Sequence, residues 1–310
     1  MFRLIIFLLI FLSIVNAEEN TIFVSQKNLY EHVEFLTSTP KARSFINYAS
    51  LAMAADYIDS VFKKYSSRVE HQVFPARDIE YKNLICSFGP EEGKRIIIGA
   101  HYDVCGEQPG ADDNASAVSG LLEIARLLHE LQPNLIHRVD LAAYTLEEPP
   151  FFGTDKMGSA VHASFLKQNN IEVEIMICLE MIGYFTDEPE SQKFPIGFLG
   201  WFYPDKGNFI AVVSNFSSSS KAGKIKELIS GNSSIPVSKL TAPSFLTGVD
   251  FSDHRNFWKR GYDAVMITDT AFFRNPNYHQ ESDTIETLDF PKMAEVVKGV
   301  YAALIHFAGE

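Results

Sequence analysis

Cysteine is scarce in this chain: Cys86, Cys105 and Cys178 are the only three in 310 residues. An odd number at wide spacing leaves room for one pair in an oxidising compartment but excludes a disulfide scaffold, so stability has to come from a core. Positive charge is short too. Twenty-seven Lys and Arg stand against 39 Asp and Glu, a formal charge of −12, and a surface this acidic argues against nucleic acid or anionic lipid as partner. Beyond the N-terminus no apolar run is long enough to span a bilayer. Internal repeats are absent, and low complexity is confined to the short run at Ser214–Ser220.

What is present is apolar: 46% of residues are hydrophobic and 13% aromatic, enough to build a large core. The opening "MFRLIIFLLIFLSIVNA" has one charge at Arg3, an apolar stretch from Leu4 to Leu12 and a small residue at Ala17. That pattern predicts a signal peptide over 1–17 and an exported protein, periplasmic or extracellular, with no membrane span once the signal is removed. An uncleaved anchor is the rival reading, and the run is short for one. Residues 18–310 are expected to form a single domain.

Two helical patterns follow the signal, "SQKNLYEHVEFLTS" with Ser25 as cap and "FINYASLAMAADYIDSVFKKY". From Tyr81 onward short apolar runs alternate with helical stretches: "NLICSF", "RIIIGA", a helix over about 114–131, "VDLAAYTL", a helix over about 155–168, "VEIMICLEMI" and "DAVMIT". Continuous apolar strands alternating with helices predict an α/β fold, a three-layer α/β/α sandwich around a mixed, mostly parallel sheet. The aromatic and proline-containing stretch 184–209 has neither period and is either a lid or specificity loop or a plain surface connection.

Ligands of open α/β sheets gather beyond the carboxyl ends of the strands. His101 ends one strand, Glu147 and Glu148 follow the next, and Glu180 comes late in a third; Asp103, Asp112 and Asp113 crowd the junction after the first. Any one of these is ordinarily a satisfied polar group. Several acids converging without a neutralising partner expect a cation. Imidazole with carboxylates, and no cysteine obliged to join, suits zinc or another borderline divalent metal. A further imidazole candidate is His279 in "NPNYHQESDT".

The pieces "HYD", "GADDNAS", "LEE", "LEMIGYF", "DHRNFW" and "YHQESDT", in this order, resemble the zinc-dependent exopeptidases of metallopeptidase family twenty-eight, the bacterial leucyl aminopeptidase type. The likeness spans roughly residues 29–307. It implies two zinc ions per chain: His101, Asp113 and Glu180 on one, Asp113, Glu148 and His279 on the other, with Asp113 shared. It further implies Glu147 as general base, Asp103 as the acid behind His101, and Tyr278 as an oxyanion donor, a residue that elsewhere would simply pack. The substrates implied are peptides, attacked at the N-terminus.

Three features depart from the family or limit what carries over. Glu180 stands where several relatives have aspartate, so the backbone must sit one methylene farther back. "PPFFGTDKMGS" inserts Pro149, Pro150, Phe151 and Phe152, which either wall a pocket or pack under the loop. Asn114, Asn215 and Asn232 each begin a glycosylation sequon. Alternatives on the same fold are a single-zinc glutaminyl cyclase and a carboxypeptidase, the latter needing a cationic clamp for which Arg255 and Arg274 are candidates. A non-catalytic binding module is the remaining class, disfavoured because all the expected ligands and the base are present.

Overall fold

A computed structural model describes residues 22–309, so the stretch read as a signal, 1–17, lies outside the described residues. The chain opens with helices α1 (Gln26–Thr37) and α2 (Tyr48–Tyr65), then a hairpin of β1 (Val69–Ala76) and β2 (Ile79–Phe88). Next come β3 (Arg95–His101), α3 (Ala117–Leu131), β4 (Arg138–Tyr144), α4 (Gly158–Gln168) and β5 (Val173–Glu180). The C-terminal third holds β6 (Ile210–Ser214), α5 (Ser219–Asn232), β7 (Val237–Thr241), α6 (His254–Lys259), β8 (Ala264–Thr268) and α7 (Phe290–Gly309).

All eight strands form one sheet, ordered β1-β2-β4-β3-β5-β8-β6-β7. The middle four, β4, β3, β5 and β8, run parallel to one another, β6 and β7 pair in parallel but reversed, and β1 and β2 are antiparallel. The central strands are buried on both faces, which is why they read as unbroken apolar runs. Successive residues of β3 show this: Ile96 and Ile98 enter the core under α2, α3 and α7, while Ile97 enters the one under α4 and α6. The three layers expected from the sequence are present.

The hairpin β1–β2 escaped the sequence reading beyond residues 83–88. Its turn, Arg77–Asp78, has both residues at positive φ (47° and 62°) without the glycine that normally signals such a turn, and β1 is a half-exposed edge strand containing Pro75. The expected helix start at Asn114 is corrected to Ala117. Residues 111–116 make a wider turn in which Asp113 and Asn114 leave helical geometry. Their side chains are used elsewhere: Asn114 Nδ2 donates to the Leu179 carbonyl (3.1 Å) and its Oδ1 accepts from the Met181 amide (2.9 Å), tying the turn to the end of β5. The second expected helix likewise begins later, at Gly158.

N-terminal helix α1 starts at the foreseen cap, with the Asn28 amide donating to Ser25 Oγ (3.1 Å). Glu123 of α3 accepts from the Ser25 amide and the Asn28 side chain, holding the start of α1 on the third helix. Among the described residues no helix is long and apolar enough to cross a membrane.

Candidate metal centre

Because β4, β3 and β5 are neighbours and parallel, their carboxyl ends deliver Glu147 and Glu148, His101, and Glu180 to one edge of the sheet. The 111–116 turn adds Asp113 from behind β3, and the long connection after β8 returns His279. All are buried except His279, whose side chain keeps 27% exposure.

The separations are informative. His101 Nε2 lies 3.4 Å from Asp113 Oδ1 and 3.3 Å from Glu180 Oε2. His279 Nε2 lies 3.2 Å from Asp113 Oδ2 and 3.4 Å from Glu148 Oε1. Asp113 thus turns one oxygen to each imidazole. Donors about 2.0–2.1 Å from a tetrahedral zinc lie about 3.3 Å from one another, which is the spacing found between each histidine and its two carboxylates. The donor types and their burial fit that ion as well, and Asp113 Oδ1 has no hydrogen-bond donor.

Electrostatics point the same way. Burial pushes the Glu147 carboxyl well above its ordinary value; His101 opposes this, but Glu148, Glu180 and Asp253 add to it. Glu148 is pushed up to about 8 by burial and by Asp113, against the pull of the two histidines. Glu180 is raised by burial first, and Asp253 by burial to about 7. Burial would lower both imidazoles, but the surrounding carboxylates outweigh it, carrying His101 well above the ordinary range and His279 to about 12. Asp113, clasped by the two histidines, is held below the usual carboxylate range despite its burial. This is a pocket of excess negative charge.

The supporting contacts are extensive. Asp103 accepts from the Glu147 and Glu148 amides with one oxygen each (3.1 Å both), fixing the paired glutamates. His101 Nδ1 is 3.1 Å from the Asp103 main-chain carbonyl and 3.7 Å from its carboxylate, so the orientation runs chiefly through the backbone. Ser252 donates to Glu180 Oε2 at 2.6 Å. Asp283 accepts from the amides of Asp112 and Asp113 (2.9 and 3.1 Å), and Asp112 in turn accepts from Gly183 N and Asn275 Nδ2. Asp112 is therefore part of the frame and stands outside the donor sets. The sequence does not single out Ser252, and offers Asp253 only as the first residue of the piece "DHRNFW" without a role, because their loop meets the centre only in the fold.

Tyr278 stacks on His279 with ring centroids 3.8 Å apart. With Glu180 it also lines an apolar cavity walled by Phe194, Leu199, Phe209, Phe251, Met266 and Phe272. Several of these come from 184–209, the stretch read as a possible specificity loop. Phe151 packs beneath its loop against Phe45 and Tyr81, and Phe152 backs Phe251 without reaching the cavity wall. Arg255 pairs with Asp250 at 3.2 Å over the Phe152 ring. Arg274 is buried on Gln192 and the Phe209 carbonyl. Both arginines thus have internal partners. The three cysteines are free, and Cys105 sits with Glu148 and His279.

The sequence model described as peptidase family M28 matches residues 83–304. The uncharacterized protein YfbL of Escherichia coli (strain K12) is 45% identical over 288 residues, 90% of this chain and 88% of that protein. Leucine aminopeptidase 1 of Blastomyces gilchristii is 25% identical, covering 89% of this chain and 69% of its own length. Among solved structures, the Legionella pneumophila LapA aminopeptidase superposes with a TM-score of 0.75 at 21% identity, covering 93% of this chain and 73% of LapA. Glutaminyl cyclase from Bacteroides thetaiotaomicron does so with a TM-score of 0.68 at 18% identity, covering 92% and 99%. The structural likenesses show the fold.

Proposed function

Since the chain belongs to peptidase family M28, a zinc-dependent hydrolase family acting on peptides, we propose that it is a two-zinc aminopeptidase that removes apolar N-terminal residues. The observation that carries this reading is Asp113, which turns one oxygen to His101 and Glu180 and the other to His279 and Glu148. One zinc would be held by His101, Asp113 and Glu180, the other by Asp113, Glu148 and His279. Bound there, the two ions would lower the pKa of a water and polarise the scissile carbonyl.

The chain's own residues do the rest. Glu147 stands beside His101 and Glu148, where its carboxylate is suited to taking the proton of the attacking water and passing it to the leaving amine. Asp103 keeps Glu147 in place through its backbone. Tyr278, stacked on His279 and lining the cavity, would donate from its hydroxyl to the oxyanion that develops on the substrate. The surplus of carboxylates attracts the substrate's ammonium group, and the apolar cavity accepts the side chain behind it. A carboxypeptidase would need a cationic clamp, and the two candidates are engaged elsewhere, Arg255 with Asp250 and Arg274 with Gln192 and the Phe209 carbonyl. Export of the enzyme is supported by the composition of residues 1–17.

The test is metal analysis of the purified protein together with a panel of aminoacyl chromogenic substrates, with and without chelator. Two zinc ions per chain and chelator-sensitive release of leucyl or phenylalanyl groups are expected. One ion per chain with cyclisation of glutaminyl peptides would replace this reading with the cyclase.

A further inference from the structure

Cys105 has no part in the chemistry above, yet its sulfur lies within 4.8 Å of ligand atoms of Glu148 and His279. It is partly exposed, unlike the buried Cys86 and Cys178, and unpaired. It occupies a turn, 105–107, between β3 and the Asp113 segment, where the positive φ of Gly106 (63°) brings the chain round. The geometry is that of a donor group: the Cys105 sulfur, a Glu148 carboxylate oxygen and a His279 ring nitrogen all lie within 4.8 Å of one another, and sulfur, imidazole and carboxylate are the three donor types that zinc takes.

We propose that the Cys105 thiolate is a fourth protein ligand of the metal at Asp113, Glu148 and His279 in the resting enzyme, yielding its place to the attacking water when substrate binds. The inference rests on the two-metal reading. Binding forms a metal–sulfur bond as the thiol gives up its proton to solvent; no oxidant or reductant is involved. A soft sulfur donor makes this position select zinc, cobalt or cadmium over magnesium or manganese. No sulfur joins the donor group of His101, Asp113 and Glu180, Cys178 standing behind it with Ser252 between its sulfur and Glu180, so the two metals differ in ligand chemistry.

Cobalt substitution of the full chain reads the bond directly. Cobalt gives weak visible ligand-field bands wherever it binds and an intense near-ultraviolet charge-transfer band only when sulfur is attached. Wild-type protein is expected to show both, and Cys105→Ser to keep the visible bands, which also certify its fold, while losing the ultraviolet one. Visible bands without the charge-transfer band in wild type would overturn the thiolate ligand and leave the two-metal reading standing. A charge-transfer band that survives Cys105→Ser would also overturn it. Absence of bound cobalt by both absorption and metal analysis would overturn the thiolate ligand and the metal reading together.

Discussion

The same central strands bury acids at both ends, with opposite outcomes. At the amino ends of β3 and β4, Asp140 accepts from Arg95 (2.9 Å), Arg138 (2.7 Å) and Ser87 (2.6 Å). Burial alone would raise its carboxyl, but the two guanidinium groups and the hydroxyl outweigh burial and hold it below the ordinary range. At the carboxyl ends, Glu147, Glu148 and Glu180 are buried as deeply with no arginine or lysine bonded to them, and their carboxyls rise. A buried acid that arrives with its cation is a structural group. Buried acids that arrive without one wait for a cation from solution.

The largest expected effect lies at the carboxyl end. Glu147→Gln keeps the shape and removes the base, so turnover should fall by about 10² to 10⁴ while both zinc ions remain. Glu148→Gln should instead lose zinc, because an amide is a poorer ligand than a carboxylate. Equal zinc loss in the two variants would sink the distinction between base and ligand.

The matching change at the other end is Asp140→Ala, which strands two partly buried guanidinium groups. It should cost about 3 kcal/mol in denaturant melts and leave the zinc content of the folded protein unchanged. Zinc loss at equal occupancy of the folded state would mean that the two ends are not independent.

Ser252→Ala tests how firmly the buried metal set is braced. It removes the donor to Glu180 Oε2 and should weaken zinc binding by roughly tenfold in chelator competition, with the melting temperature of the metal-free protein nearly unchanged. An unaltered affinity would mean that Glu180 is held by packing alone.

The smallest effect is in pH. The folded pKa of Asp140 is depressed, so its contribution is present in full above the unfolded value of about 3.9 and is lost as pH falls through the folded one. The stability gap between wild type and Asp140→Asn should therefore be constant at neutral pH and narrow in acid below about 4. A gap that widens in acid would reverse the assignment.

How much of this was legible in the sequence follows from where each residue sits. His101, Glu147, Glu148 and Glu180 stand at or just after the ends of apolar strands, and the rule that ligands gather there was enough to group them. The layered fold was legible for the same reason, since doubly buried strands are unbroken apolar runs. The hairpin was not, because its turn lacks glycine and its edge strand is half exposed. Strands β6 and β7, five residues each, are too short for a period to declare itself. Ser252, Asp253 and Cys105 sit on loops whose approach to the site is set by tertiary packing. Only the motif resemblance linked His279 to Asp113.

The bridge made by Asn114 also governs how the protein can be produced. Asn114 opens a sequon with Ala115 and Ser116, yet the nitrogen that would carry a sugar is buried and donates to the Leu179 carbonyl, and Ser116 Oγ accepts from the Ile182 amide. Secretory pathways of eukaryotic hosts attach glycans to nascent chains before such sites close. A chain modified there has no room for the carbohydrate and forfeits the tie between the Asp113 turn and the end of β5. Material made in yeast or insect cells should therefore divide into a metal-competent fraction without carbohydrate at Asn114 and an unfolded one that carries it there, whereas a bacterial host avoids the division.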